Sequence, residues 1–186
     1  RQKVAVRYCG ELANADCAPV KAAVISGLLS RVTEERVNLV NAELVAQQRG
    51  LRVVEETDAR CDHYSHLLTL TLESDAGRTS VSGTVRDGQT RIVQVNDFWM
   101  DLNLTEGHFL LCDHVDGPGL VGAIGTVLGQ AGINISSMHL SRLAPGGKAL
   151  LIMALDTPLG EAQRRSILAI PNVHTAKTVS PYEPAF

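Results

Sequence analysis

The sequence has no run of lysine or arginine, no cysteine pair at metal-binding spacing and no apolar stretch long enough to span a bilayer. Each absence removes a class of function. The net charge of -3 and the missing basic run give no electrostatic reason to expect nucleic acid or an anionic membrane as partner. Without about twenty consecutive apolar residues there is no transmembrane helix to expect. Cys9, Cys17, Cys61 and Cys112 are scattered, with no C-x-x-C and no zinc or cluster spacing. No metal site is expected, and reduced, mostly buried thiols are, which points to a cytoplasmic protein. The N-terminal residues alternate charge with valine and carry no apolar core, so no signal peptide is expected. There is no internal repeat and no low-complexity segment. His63, His66 and His114 lack an acid partner at convincing spacing and a nucleophile motif, which sets aside a free-standing hydrolase.

What remains is an ordinary globular composition, 45% hydrophobic and 20% charged, over 186 residues. That is enough for one large domain or two small ones with real cores. The chain starts with Arg1 inside an alternating strand, Val4 to Tyr8, so a fragment or processed product is expected.

The first part, residues 1–103, reads as an α+β domain of antiparallel strands with two helices. The helices are expected over Pro19–Ser30, with Val20, Ala23, Val24, Gly27 and Leu28 on one stripe, and over Asn38–Gln48, with Leu39, Ala42, Val45 and Ala46 on one face. Strands follow at Leu51, His66 to Leu72, Arg78 to Val85 and Thr90 to Val95, with a short one at Trp99. Asp75 to Gly77 and Asp87 to Gly88 read as hairpin turns. The polar stretch Asn103 to Gly107 is the linker candidate.

Residues 107–180 form the second expected domain, in the order strand, helix, strand, strand, helix, strand. The strands are Phe109–Cys112, Ile133–Leu143, Lys148–Leu155 and Val173–Val179. The helices are Pro118–Ala131, with proline at its first position, and Pro158–Ile170, with Thr157 as cap. Two helices over one face of a four-stranded antiparallel sheet give a ferredoxin-like arrangement.

The informative stretch is GHFLLCDHVDGPGLVGAIGTVLGQAGINISSMHL, from Gly107 to Leu140. A strand is expected to end in a polar turn, Asp113 to Asp116, beside a helix N-terminus. Gly117, Gly119 and Gly122 spell G-x-G-x-x-G. A dinucleotide loop would need a parallel β-α-β unit and an acidic residue about 20 positions on. Here Ser141 and Arg142 stand in that region, and a Gly-Gly hairpin follows. The dinucleotide reading fails on that topology. Leu120, Val121, Ile124, Val127 and Leu128 make an apolar face, with Gly122, Gly125 and Gly129 opposite. That glycine stripe reads either as a close-approach surface for a packed element or subunit, or as a helix that tolerates glycine.

His114, Asp116 and Asn134 are the candidate site. Asp116 can pair with an ammonium group, Asn134 can donate and accept, and free N–H groups at a helix start can take a carboxylate. A free amino acid has that pattern of groups. The competing reading is that Asp116 and Asn134 only stabilise turns.

The Gly107–Met138 stretch resembles the opening of an ACT domain, a βαββαβ module that binds amino-acid effectors. ERVNLVNAELVAQQRG, SVSGTV and RIVQVNDFWMDL resemble the domain that precedes it in the long form of D-3-phosphoglycerate dehydrogenase, the allosteric substrate-binding domain. The resemblance spans nearly the whole chain. It implies a regulatory region of that enzyme, which oxidises 3-phosphoglycerate with NAD in L-serine synthesis. The catalytic domains that hold NAD would lie N-terminal to Arg1, and this chain would need no cofactor and carry no activity of its own. The resemblance also implies L-serine, or another small amino acid, bound between the ACT domains of two subunits of a homodimer or homotetramer. His114, Asp116 and Asn134 match the effector positions. Gly117 departs from the pattern, where family members usually carry arginine. Arg91 matches a basic position that contacts a phosphate-bearing anion, while Phe98, Trp99 and Asn103 replace basic residues expected after it. A regulatory region of an iron–sulfur L-serine dehydratase, and an assembly-only module, are the alternatives.

Overall fold

A computed structural model describes residues 3–30, 32–33, 37–103 and 107–180. They fall into two compact units, residues 1–96 and 97–186. The expected linker centres on Leu104, Thr105 and Glu106, which lie outside the described residues.

The first unit begins with β1 (Lys3–Gly10), a 3-10 turn (Glu11–Asn14), α1 (Ala18–Leu29) and α2 (Ala42–Gln48). Strands β2 (Arg52–Asp58), β3 (His66–Ser74), β4 (Gly77–Arg86) and β5 (Gln89–Val95) follow. Their order is β2-β1-β3-β4-β5. Among the described residues of this unit β1 and β2 are the pair that runs parallel, because two helices intervene between them and such a crossover permits a parallel return. β3–β4 and β4–β5 are hairpin-linked antiparallel pairs, as the turn residues predict, and β1 pairs antiparallel with β3, which follows it only after the helices and β2.

The core of this unit joins Val4, Val6 and Tyr8 of β1 to Ala22, Ile25 and Leu29 of α1 and Ala42, Val45 and Ala46 of α2. This corrects the expected stripe on α1. Ala23 and Gly27 are exposed, and Leu28 is 36% exposed. The helix is apolar on most sides, so periodicity does not select one face. Leu39 also falls outside the core, at 61% exposure. It precedes α2, which starts at Ala42 instead of Asn38. Asn38 Oδ1 accepts from the N–H groups of Val40 and Asn41, and Asn41 Oδ1 accepts from Asn38 N–H at 2.8 Å. The two asparagines hold a turn that competes with the first helical turn.

The second unit contains β6 (Phe98–Asn103), β7 (His108–Val115), α3 (Leu120–Gln130), β8 (Ile135–Arg142), β9 (Lys148–Leu155), α4 (Glu161–Leu168) and β10 (Lys177–Val179). β6 alternates: Phe98, Met100 and Leu102 are buried. It lies against β8. The other four strands form an antiparallel sheet in the order β10-β7-β9-β8. β9 is central, and Ala149 to Leu155 are all buried, which explains its unbroken apolar run. Leu110, Cys112, Leu151, Met153 and Leu155 meet Leu120, Ile124 and Leu128 of α3 and Ile167 of α4. The α+β class read from the sequence holds for both units.

Four boundaries in this unit differ from expectation. β7 runs through Asp113, His114 and Val115, because β9 pairs with it as far as Val115 opposite Lys148. Polarity suggested a turn there, but the partner strand decides where a strand ends. Pro118 is not in α3: Gly119, at φ 85°, precedes the helix in a left-handed conformation that a right-handed helix excludes. Thr157 does not cap α4; Gly160 does, at the end of the non-helical Pro158–Gly160 approach. The last strand begins at Lys177, and Val173 contributes only an isolated bridge to His114.

Among the described residues no helix is long and apolar enough to cross a membrane. No group of three or more potential metal ligands occurs among them either.

Candidate functional site

The three candidate residues start from different local environments. His114 is on β7, 3% exposed, facing the same side as Leu110 and Cys112. Its Nδ1 lies 3.3 Å from the Cys112 carbonyl oxygen. A carbonyl can only accept, so Nδ1–H is the donor in this contact.

Asp116 follows the end of β7 and joins two chain segments. Its backbone N–H donates to Gly147 O at 2.8 Å. Its carboxylate oxygen Oδ2 accepts from Arg142 Nη1 at 2.8 Å and from Gly146 N–H at 3.2 Å. These bonds tie the β8–β9 hairpin to the strand beside it. The Arg142 hydrogen bond, then the Gly146 N–H, holds the Asp116 carboxyl below the usual carboxylate range.

Asn134 precedes β8. Its Nδ2 donates to Asp156 Oδ2 at 2.8 Å, and its carbonyl accepts from Asp156 N–H at 3.1 Å. Asp156 directly follows β9. Asn134 thus sits at the end of β9, whereas Asp116 sits at its beginning. The eight residues of β9 separate them, a span of about 25 Å at the usual rise per residue. Within one chain His114 and Asp116 share one end of the sheet and Asn134 belongs to the other.

Sequence reasoning passed over Arg142 as a partner of Asp116, and over Asp156 as the partner of Asn134. The signal available was charge complementarity between Asp116 and the first basic residue before the hairpin. The dinucleotide arrangement is absent: β8 and β9 pair antiparallel, and β9 separates β7 from β8.

In the first unit, Arg91 lies partly buried on β5, across from Thr84. A cavity of about 100 Å³ opens elsewhere, between α1, α2 and β2, lined by Lys21, Ile25, Glu43, Ala46 and Val53. Lys21 Nζ is 2.8 Å from Glu43 and 2.8 Å from Glu55. Two carboxylates match that charge, so the cavity does not attract an anion. The nearby Tyr8 hydroxyl is buried and finds no hydrogen-bond partner among the described residues. Burial, then the charge of Glu55, pushes it up to about 12.

Comparison with known proteins covers both units. The D-3-phosphoglycerate dehydrogenase intervening domain matches residues 1–96. D-3-phosphoglycerate dehydrogenase of Methanocaldococcus jannaschii is 32% identical over 178 residues, 96% of this chain and 34% of that protein. The Synechocystis D-3-phosphoglycerate dehydrogenase is 36% identical over 173 residues, 91% of this chain and 31% of that protein. The chain spans about a third of the length of the curated relatives it matches. Among solved structures, an unknown protein from Galdieria sulphuraria aligns over 42% of this chain and 48% of its own, with 18% identity and a TM-score of 0.34. So low a score adds nothing to the argument. The intervening-domain match covers more than half of the chain, and on that ground the chain belongs to the D-3-phosphoglycerate dehydrogenase family.

Proposed function

We propose that this chain is the regulatory part of a cytoplasmic, NAD-dependent D-3-phosphoglycerate dehydrogenase and binds L-serine as a feedback effector. The catalytic domains, which hold NAD and oxidise 3-phosphoglycerate, belong to the rest of that enzyme, and this part carries no catalysis. Its second unit acts as an ACT domain. Serine sits where two copies meet, with His114 and Asp116 from one and Asn134 from the other.

The observation that carries this reading is the separation of Asp116 and Asn134 by the whole length of β9. A site that uses both side chains needs a second copy. β8 is the end strand of its sheet, and Met138, Leu140 and Leu143 in and just after it are 50%, 42% and 50% exposed. A twofold axis that pairs two such strands antiparallel brings Asn134 of one copy to the Asp116 end of the other. The glycine stripe supports close approach: a Cβ at Gly122, Gly125 or Gly129 would meet nothing within 4 Å. In such a site Asp116 faces the ammonium, and Arg142, standing where it can compensate for Gly117, faces the carboxylate. Serine inhibits by binding one subunit arrangement better than another, the only way a ligand shifts such an equilibrium. Arg91 would contribute to a phosphate-bearing anion site in the first unit.

The assembly-only reading has its own support, because Arg142 and Gly146 already occupy the Asp116 carboxylate. Calorimetric titration with L-serine, with D-serine and glycine as controls, separates the two. Stereoselective binding that disappears in Asn134→Ala supports the effector site. No heat from a folded dimer leaves an oligomerisation module.

A further inference from the structure

The far end of β1 carries a pair of cysteines that the regulatory reading does not use. Along β1, Val4, Val6 and Tyr8 face the helices and are buried. Arg7 and Cys9 point to the opposite face, where Arg7 is exposed and ion-paired with Asp58. Cys9, two residues further on the same face, is only 6% exposed. The neighbouring strands alone leave Arg7 open, so a further segment must cover Cys9.

That segment is the connection between β2 and β3, residues 59–65. It folds back on β1, where Glu11 N–H donates to Ser65 O at 3.0 Å. A Cβ placed on Gly10 would lie 2.2 Å from Ser65 O and 3.2 Å from the Cys61 Cβ. The Cys61 side chain therefore starts beside residue 10, the residue consecutive with Cys9. All four cysteines carry free thiols, and Cys61 is the one that is not buried. Residues 60 and 61 belong to no helix or strand, so Cys61 can adjust its position without breaking a ladder.

We propose that Cys9 and Cys61 are a redox pair, which a small-molecule disulfide converts to an intramolecular disulfide that fastens the 59–65 connection over the end of β1. Cys61, the less buried partner, reacts first. The Cys61 thiolate attacks one sulfur of the external disulfide, forms a mixed disulfide and releases one thiolate. The Cys9 thiolate then attacks Cys61 Sγ and expels the second. Two protein thiols are oxidised, one external disulfide is reduced to two thiols, and the two protons pass to solvent or to the leaving thiolates. One further feature fits this order. Burial, only partly offset by neighbouring Arg7, holds the Cys9 thiol up, and Cys61 is among the groups that raise it further. A disulfide needs Cα atoms about 4.4–6.8 Å apart, a geometry that the 59–65 connection has to supply.

The test is to incubate the folded chain with oxidised glutathione, block free thiols with an alkylating agent and map the peptides. Cys9 and Cys17 share one tryptic peptide, so cleavage after Glu11 is added to separate them. The expected result is loss of two of the four thiols, a linked Cys9–Cys61 peptide, and full reversal by a dithiol reductant. Cys61→Ser, at the less buried member of the pair, should abolish the link, and Cys17→Ser should leave it intact. Retention of all four thiols, a stable glutathione adduct on Cys61 alone, or a link to Cys17 or Cys112 would each overturn the proposal.

Discussion

Asp116 and Asn134 stand at opposite ends of one strand: the Asp116 N–H meets Gly147 just before β9, and the Asn134 carbonyl receives the Asp156 N–H just after it. A shared site built on both has a testable arithmetic. In a twofold dimer each site takes Asp116 from one copy and Asn134 from the other. Asp116→Ala and Asn134→Ala should each abolish serine binding alone. Mixed after dissociation and reassociation, they should regain about a quarter of the wild-type sites, because half of the dimers are mixed and each restores one of two sites. Calorimetry on the mixture reads this directly. Recovery of nothing would place both side chains in the same copy's site, or in no site.

Arg142→Ala should raise the Asp116 pKa, because the guanidinium is the first cause of its lowering. The sign for stability follows. A carboxylate whose folded pKa is depressed adds stability above its unfolded pKa, and that contribution fades as pH falls through the folded value. Asp116 is near the surface, so solvent screening keeps the effect on stability small. Carboxylate chemical shifts in an acid titration would show the move, and an unchanged midpoint would mean that Arg142 does not govern Asp116.

Cys112 should be inert in the folded protein at pH 8. Burial, then Asp113, pushes its thiol up to about 12, so almost no thiolate is present to react. A thiol-reactive chromophore should label it only after denaturant is added. Labelling at the unfolded rate without denaturant would contradict the buried position of β7.

Ile124 is fully buried in the second core. Ile124→Ala removes methyl groups from a packed helix–sheet contact, for which about 2–5 kcal/mol of destabilisation is expected. Urea denaturation followed by far-UV circular dichroism measures it. A loss under half a kcal/mol would mean that α3 does not pack as described.

Gly10 has φ 66°, and a Cβ there would meet Ser65 O at 2.2 Å. Gly10→Ala should therefore destabilise the first unit by about 1–3 kcal/mol through strain and displacement of the 59–65 connection. Thermal unfolding would report it. Gly50→Ala, also at positive φ but with nothing within 4 Å, should cost less.

The clearest parts of the sequence were those where one periodicity had no rival. On α3 the apolar residues Leu120, Ile124 and Leu128 face glycines across the helix, and all three are buried as read. The hairpins at Gly77 and Gly88 and the unbroken run of β9 were equally plain. On α1 apolar residues surround the helix, and only the packed sheet selects Ile25 over Leu28. For the candidate site, residue types were legible but their grouping was not. Hydrogen bonding decided that His114 continues a strand, that Arg142 bonds Asp116 and that Asp156 bonds Asn134.

The sequence by itself determined the α+β class, the order of the elements and which polar residues stand as candidates for a site. These follow from local spacing, turn residues and side-chain chemistry, which need no knowledge of neighbours. The tertiary structure alone decided which strand lies between which, and so placed Asp116 and Asn134 a full strand apart. Distance across a sheet depends on pairing between segments remote in the chain, and no local pattern encodes it.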